Sequence, residues 1–201
     1  MPRFENVSEN PKIIVIAGCN GAGKSTIAPH LLRDAFGLKD FVNADTIAQG
    51  LSAFSPESVA LEAGRLMLKR LKDLAKERKS FAFETTLATR FYAKWLAELK
   101  TQGFEFHLIF LWLKSPELAF ERVQIRVNQG GHNIPENVIY RRYFKGLRNF
   151  FGLYKPIANS WTIYDNSRFG NPVIIAKGFD KIQEICDEII WSEICKLAES
   201  K

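Results

Sequence analysis

Gly18-Cys-Asn-Gly-Ala-Gly-Lys24-Ser25 has the spacing G-x-x-x-x-G-K-[ST] and directly follows the apolar run Lys12-Ile-Ile-Val-Ile-Ala17. A buried strand that ends in a glycine-rich turn and feeds a helix points backbone N–H groups at a phosphate chain, and the helix adds its positive end there. Gly18, Gly21 and Gly23 permit the close backbone approach, and Asn20, Ala22 and Thr26 complete the loop and the helix start. Lys24 supplies a mobile cation for the β- and γ-phosphates, and the Ser25 hydroxyl is a ligand for Mg²⁺. ATP and Mg²⁺ are therefore the expected cofactors.

Two acids come next. Asp45 follows Asp40-Phe-Val-Asn-Ala, and Glu84 closes Phe81-Ala-Phe before Thr85 and Thr86. In an open α/β sheet the C-terminal strand ends border the ligand crevice, so both carboxylates are expected near the phosphate loop. A carboxylate there accepts the proton of an attacking hydroxyl or holds a metal-bound water. No Asp ends the third strand, which leaves Glu84 or Asp45 to serve the Mg²⁺ shell, or Ser25 with phosphates and water.

Cationic candidates gather after residue 120. Arg122 and Arg126 stand at i, i+4 on one helix face, followed by Asn128-Gln-Gly-Gly-His132-Asn-Ile-Pro135. An Arg-bearing helix followed by a Gly-Gly turn suits a closing lid, here about residues 122–136, that delivers cations to a transferring phosphoryl group. Arg141, Arg142, Lys145 and Arg148 read better as a solvated basic face, with Arg142 the least settled of them. His132 reads as a turn or substrate contact; with His30 and His107 it makes no metal spacing. Cys19, inside the loop and beside helix-start amides, is expected to be a reactive thiolate.

The elements that would position these groups alternate apolar runs with amphipathic stretches. Strands are expected near 12–17, 40–43, 80–84, 105–112 and 160–165, with a short one at 172–176. Ser55-Pro56-Glu57 and Ser115-Pro116-Glu117 are helix starts, and Gly103 stops a helix that begins near Thr89. Pro29 predicts a mild kink after the phosphate loop. The fold expected is α/β, a P-loop NTPase or kinase-like three-layer sandwich. Its mostly parallel five-stranded sheet has helices on both faces and a helical lid, in a single domain over 1–201.

The chain has 201 residues, 46% hydrophobic and 25% charged, as in an ordinary globular domain. Its apolar run Leu108 to Leu113 is too short to span a bilayer, and Met1 to Pro11 lacks the apolar centre of a signal peptide. Three cysteines without metal spacing fit a reducing cytoplasm. A net charge of +6 suits anionic partners, while the scattered Trp95, Trp112, Trp161 and Trp191 form no base-stacking platform and argue against nucleic acid.

Together the loop Gly18–Ser25, Asn43-Ala-Asp45-Thr46, Phe83-Glu84-Thr-Thr86 and Glu121-Arg122 leading to Gly130-Gly-His-Asn-Ile-Pro135 resemble the zeta-toxin family of P-loop kinases. The resemblance implies ATP- and Mg²⁺-dependent phosphorylation of a hydroxyl of UDP-N-acetylglucosamine, and it admits an antitoxin partner. It implies Asp45 as base, Glu84 and Thr86 as sugar-nucleotide contacts and Arg122 on the γ-phosphate. The sequence departs from the family at Asn43, where an acid is common, and at His132, where a second lid arginine is expected; Arg126 is read as its replacement. Asn166 and Ser167 follow the last main strand, where related kinases pack a loop near adenine. The same machinery would also serve a kinase of a nucleoside or antibiotic, a polynucleotide-end kinase, or an ATP-binding module without catalysis.

Overall fold

The computed structural model describes residues 10–32, 37–53, 55–131, 133–168, 170–179 and 182–199. Strands β1 (Lys12–Gly18), β2 (Phe41–Val42), β3 (Phe81–Thr85), β4 (Glu105–Trp112) and β5 (Ser160–Asp165) run parallel. β6 (Val173–Phe179) and β7 (Ile182–Ile185) extend them antiparallel, giving a seven-stranded sheet in the order β2-β3-β1-β4-β5-β6-β7. The five-stranded expectation is corrected accordingly: it captured the parallel part. β6 is longer than 172–176, and β7 is exposed along its whole length, so it carries no apolar run to betray it.

β1 shows why the parallel part forms. Ile13, Val15 and Ala17 enter one core, Ile14 and Ile16 the other, and all are fully buried. The first core is closed by α3 (Ala60–Lys76) and α4 (Phe91–Thr101), with α7 (Glu188–Glu199) contributing Ile194. The second is closed by α1 (Lys24–His30) and α5 (Pro116–Asn128). α2 (Ala44–Leu51) follows β2.

Local start and stop signals act as the sequence predicts. Ser115 Oγ accepts the Leu118 N–H at 3.2 Å, capping α5, whose first residue is Pro116. α4 ends in a Schellman arrangement: Gly103 N–H bonds to Lys100 and Phe104 N–H to Leu99. Pro29 falls in the last turn of the short α1.

α6 (Glu136–Asn149) differs from the other helices. It gives Ile139 and Tyr143 to one core and Leu147 to the other, so it passes over the end of the sheet instead of along a face. Tyr143 OH donates to the Leu113 carbonyl just beyond β4 at 2.7 Å. Gly146 lies so close to the segment after β3 that a Cβ there would meet the Thr86 carbonyl oxygen at 2.4 Å. α6 thus roofs the crevice at the C-terminal ends of the strands.

Candidate functional site

β1 delivers Gly18 to the sheet's C-terminal edge, and the loop closes on itself. Lys24 Nζ donates to the carbonyls of Gly18 and Cys19, each at 2.9 Å, and Ala22 N–H bonds to Cys19 at 3.2 Å. Gly23 has φ 86°, and a side chain there would strike Asn166 Nδ2 at 2.6 Å. The loop is therefore held against β5's exit segment, where Asn166 Nδ2 donates to the Ala22 carbonyl at 2.8 Å.

That exit segment is a bracket. Ser167 N–H bonds to Asp165 Oδ1 and Ser167 Oγ accepts the Lys114 N–H, both at 2.8 Å. Arg122 donates through Nη1 to the Asn166 carbonyl at 2.9 Å and through Nη2 to that of Ser167 at 2.8 Å. The two residues expected at an adenine thus have these side-chain groups engaged with loop backbone, and the arginine expected at the γ-phosphate fastens the same bracket.

On the other side of the loop, Ser25 Oγ donates to Glu84 Oε2 at 3.1 Å, while Glu84 Oε1 is buried with no hydrogen-bond partner. Burial pushes the Glu84 carboxyl above its usual range; Lys24 and the Ser25 and Asn43 hydrogen bonds oppose this, and Asp45 adds to it. Burial likewise lowers Lys24, against the pull of Glu84, Cys19 and Asp45, and the nearby Arg126 lowers it further. Asn43 Oδ1 accepts the N–H groups of Asp45 at 2.7 Å and Thr46 at 3.4 Å, so Asn43 caps α2 and leaves Asp45 exposed in the first turn. Beyond Glu84, Thr85 Oγ1 accepts the Leu87 N–H at 3.1 Å and Thr86 Oγ1 that of Ala88 at 3.4 Å.

The turn after α5 wraps Arg126: Gly131 N–H bonds to its carbonyl at 2.9 Å, and a Cβ on Gly131 would sit 2.6 Å from Arg126 Cγ. His132 lies outside the described residues. Thr26, exposed, stands in the first turn of α1.

The solvated position expected for Arg142 is corrected by the structure. It is half-buried under the roof, and its Nη1 donates to Asn20 Oδ1 at 3.0 Å. Burial lowers its pKa, Arg141 adds to the effect, and Asp45 counters it. The signal available in the sequence was its neighbour set: Ile139, Tyr143, Gly146 and Leu147 are the buried residues of α6, and Arg142 adjoins their stripe.

Cys19 is corrected too. The thiol is 5% exposed, and burial pushes it up to about 11, outweighing Lys24, its own backbone hydrogen bond and Arg122. It is a packed loop residue, not a reactive thiolate.

The donor set fits Mg-ATP. Glu84's unpartnered oxygen beside the Ser25 hydroxyl suits a hard cation that takes one carboxylate and fills its shell with phosphate and water. The glycine cradle and Lys24 suit the phosphates.

The zeta toxin family profile matches residues 3–169. An uncharacterized protein of Haemophilus influenzae is 30% identical over 132 residues, 66% of this chain and 92% of that protein. The fold is similar to that of the AvrRxo1-ORF1:AvrRxo1-ORF2 complex with sulphate ions, with a TM-score of 0.77 at 16% identity over 95% of this chain; the match spans 65% of the AvrRxo1 chain. The same complex with ATP gives 0.75 at 15% identity, covering 96% of this chain and 66% of that one. A structure of the PezAT toxin–antitoxin system of Streptococcus pneumoniae gives 0.65 at 20% identity, covering 98% of this chain and 88% of that one. The chain belongs to the zeta toxin family and has the fold of a P-loop kinase.

Proposed function

We propose that the protein transfers the γ-phosphoryl group of ATP to a hydroxyl of a UDP-amino sugar such as UDP-N-acetylglucosamine. The observation that carries the phosphotransfer is the convergence of Lys24, Ser25, Glu84 and Asp45 at the end of the sheet, under a roof that brings Arg142 to the same loop. Family membership supports the choice of acceptor. Bound Mg²⁺ would neutralise phosphate charge, held by Ser25 and Glu84. Asp45, exposed in the crevice, takes the proton of the attacking hydroxyl. Lys24, Arg126 and Arg142 hold the phosphates in line, and Arg122 works through the Asn166–Ser167 bracket. Glu84, Thr85, Thr86 and His132 are the proposed acceptor contacts, and residues 122–136 the proposed lid within one domain.

The PezAT precedent supports an antitoxin partner for this chain as well. Among the described residues no helix is long and apolar enough to cross a membrane, and the proposed setting is the cytoplasm. The test incubates the protein with γ-labelled ATP and panels of UDP-sugars, nucleosides and oligonucleotides, comparing wild type with Asp45→Asn. Label is expected on a UDP-amino sugar and lost in the variant. Label on a nucleoside or an oligonucleotide end would replace the acceptor, and undiminished transfer by Asp45→Asn would remove the base.

A further inference from the structure

The segment that follows Glu84 is held in a conformation it would not adopt alone. Leu87 is fully buried at φ 54°, in the left-handed region that a branched non-glycine residue avoids. Its carbonyl accepts Asn149 Nδ2 at 2.6 Å, the Thr89 carbonyl accepts Tyr154 OH at 2.7 Å, and just before them the Thr86 carbonyl lies so close to Gly146 that no Cβ would fit there. These straps come from the end of α6 and from the π-turn Phe150–Tyr154 that continues it. The π-turn is itself clamped. Lys155 Nζ lies 4.4 Å from the Trp161 ring centroid, 5.0 Å from Trp191 and 5.6 Å from Phe151, and donates to Gln183 Oε1 at 2.9 Å.

The left-handed turn has a chemical consequence. It turns the Leu87 and Ala88 N–H groups onto Thr85 Oγ1 and Thr86 Oγ1. A threonine hydroxyl that accepts an amide keeps its own proton to donate. Each hydroxyl therefore keeps a proton that it can donate, in the segment directly after Glu84.

We infer that Asn149 is a positioning residue for the phosphate acceptor: by holding the Leu87 carbonyl it keeps the turn that orients Thr85 and Thr86. Because Arg142 on the same helix reaches Asn20, α6 sets the acceptor segment and the phosphate loop at a fixed separation. This rests on the reading of Thr85 and Thr86 as acceptor contacts.

The experiment compares wild type with Asn149→Ala, Asn149→Asp (the same shape with no donor) and Tyr154→Phe, using two readouts. Amide hydrogen exchange needs no acceptor; Leu87 and Ala88 are expected to exchange roughly tenfold faster in both Asn149 variants, the equivalent of one net hydrogen bond, with the phosphate-loop amides unchanged. In kinetics with UDP-N-acetylglucosamine, the acceptor KM is expected to rise about tenfold while the ATP KM stays within about twofold. Unchanged exchange at Leu87 and Ala88 overturns the inference, as does an equal rise in both KM values, which a merely structural role would give. If Asn149→Ala fails to fold, Asn149→Asp carries the same comparison. A wild type that phosphorylates no UDP-amino sugar would overturn the proposed function, and the exchange readout would still decide the role of Asn149.

Discussion

Arg142→Ala removes a guanidinium that joins the roof helix to the phosphate loop at Asn20. The bond is 3.0 Å long, charge-assisted and half-buried. Such a bond contributes about 1.5–3 kcal/mol. If it is realised in the transition state, its loss lowers kcat/KM for ATP by about 10- to 150-fold at ~1.4 kcal/mol per decade. A guanidinium that also neutralises charge on the transferring phosphoryl group would push the loss toward ~10³. Folding should suffer far less, because burial already disfavours the charged arginine in the native state. The melting temperature is expected to move by no more than about 4 °C, the equivalent of roughly 1 kcal/mol for a chain of this size. Arg142→Lys should recover only part of the activity, since an ammonium keeps the charge but loses the planar fork. The assay is steady-state label transfer from γ-labelled ATP, paired with thermal melts. Activity of Arg142→Ala within about twofold of wild type would refute the placement of this residue in the machinery.

Other outcomes follow from single residues. Iodoacetamide at pH 8 should label exposed Cys186 and spare Cys19, whose pKa of about 11 leaves a thiolate fraction near ~10⁻³; peptide mapping that finds Cys19 labelled first would contradict this. His107 is lowered by burial, with Glu105 opposing and Lys12 adding, so the native state favours neutral imidazole. Its contribution to stability is complete above the usual imidazole range and is lost as pH falls through the folded pKa. His107→Asn should therefore flatten the decline in melting temperature on acidification, and parallel curves for variant and wild type would exclude the effect. Gly146→Ala places a Cβ 2.4 Å from the Thr86 carbonyl oxygen, so the ~1 kcal/mol of added helix propensity is offset by about 1–3 kcal/mol of overpacking. Acceptor-dependent turnover should drop even if the melting temperature hardly moves; wild-type turnover would show that the roof helix yields freely.

The parallel part of the sheet was legible because both faces of its central strands are buried, which leaves runs such as Phe106 to Trp112 almost without polar interruption. β7 was not, since an exposed edge strand is under no pressure to be apolar. The phosphate loop could be read directly: its glycines, lysine and serine are each demanded by local geometry. Charge alone does not separate Arg142 from Arg141, Lys145 and Arg148; its place beside the stripe Ile139, Tyr143 and Leu147 does, and the oblique path of α6 over the strand ends turns that place into a contact with Asn20. Asn149 and Tyr154 were hidden. Side chains that bind carbonyls remote in sequence follow no spacing, and only the fold brings them to Leu87 and Thr89. Asn166, Ser167 and Arg122 could be placed near the loop, while the bonds that tie them to one another and to Ala22 run through backbone carbonyls and left no mark in the sequence.

Calorimetric titration of Mg-ATP into wild type and Lys24→Ala tests the phosphate loop most directly. Wild type is expected to bind with one site per chain, and Lys24→Ala to bind at least ~10-fold more weakly, because Lys24 exchanges its bonds to the Gly18 and Cys19 carbonyls for charge-assisted bonds to phosphate worth about 1.5–3 kcal/mol. No heat of binding in wild type, or equal affinity in the two proteins, would contradict the assignment of Gly18 to Ser25 as the ATP cradle.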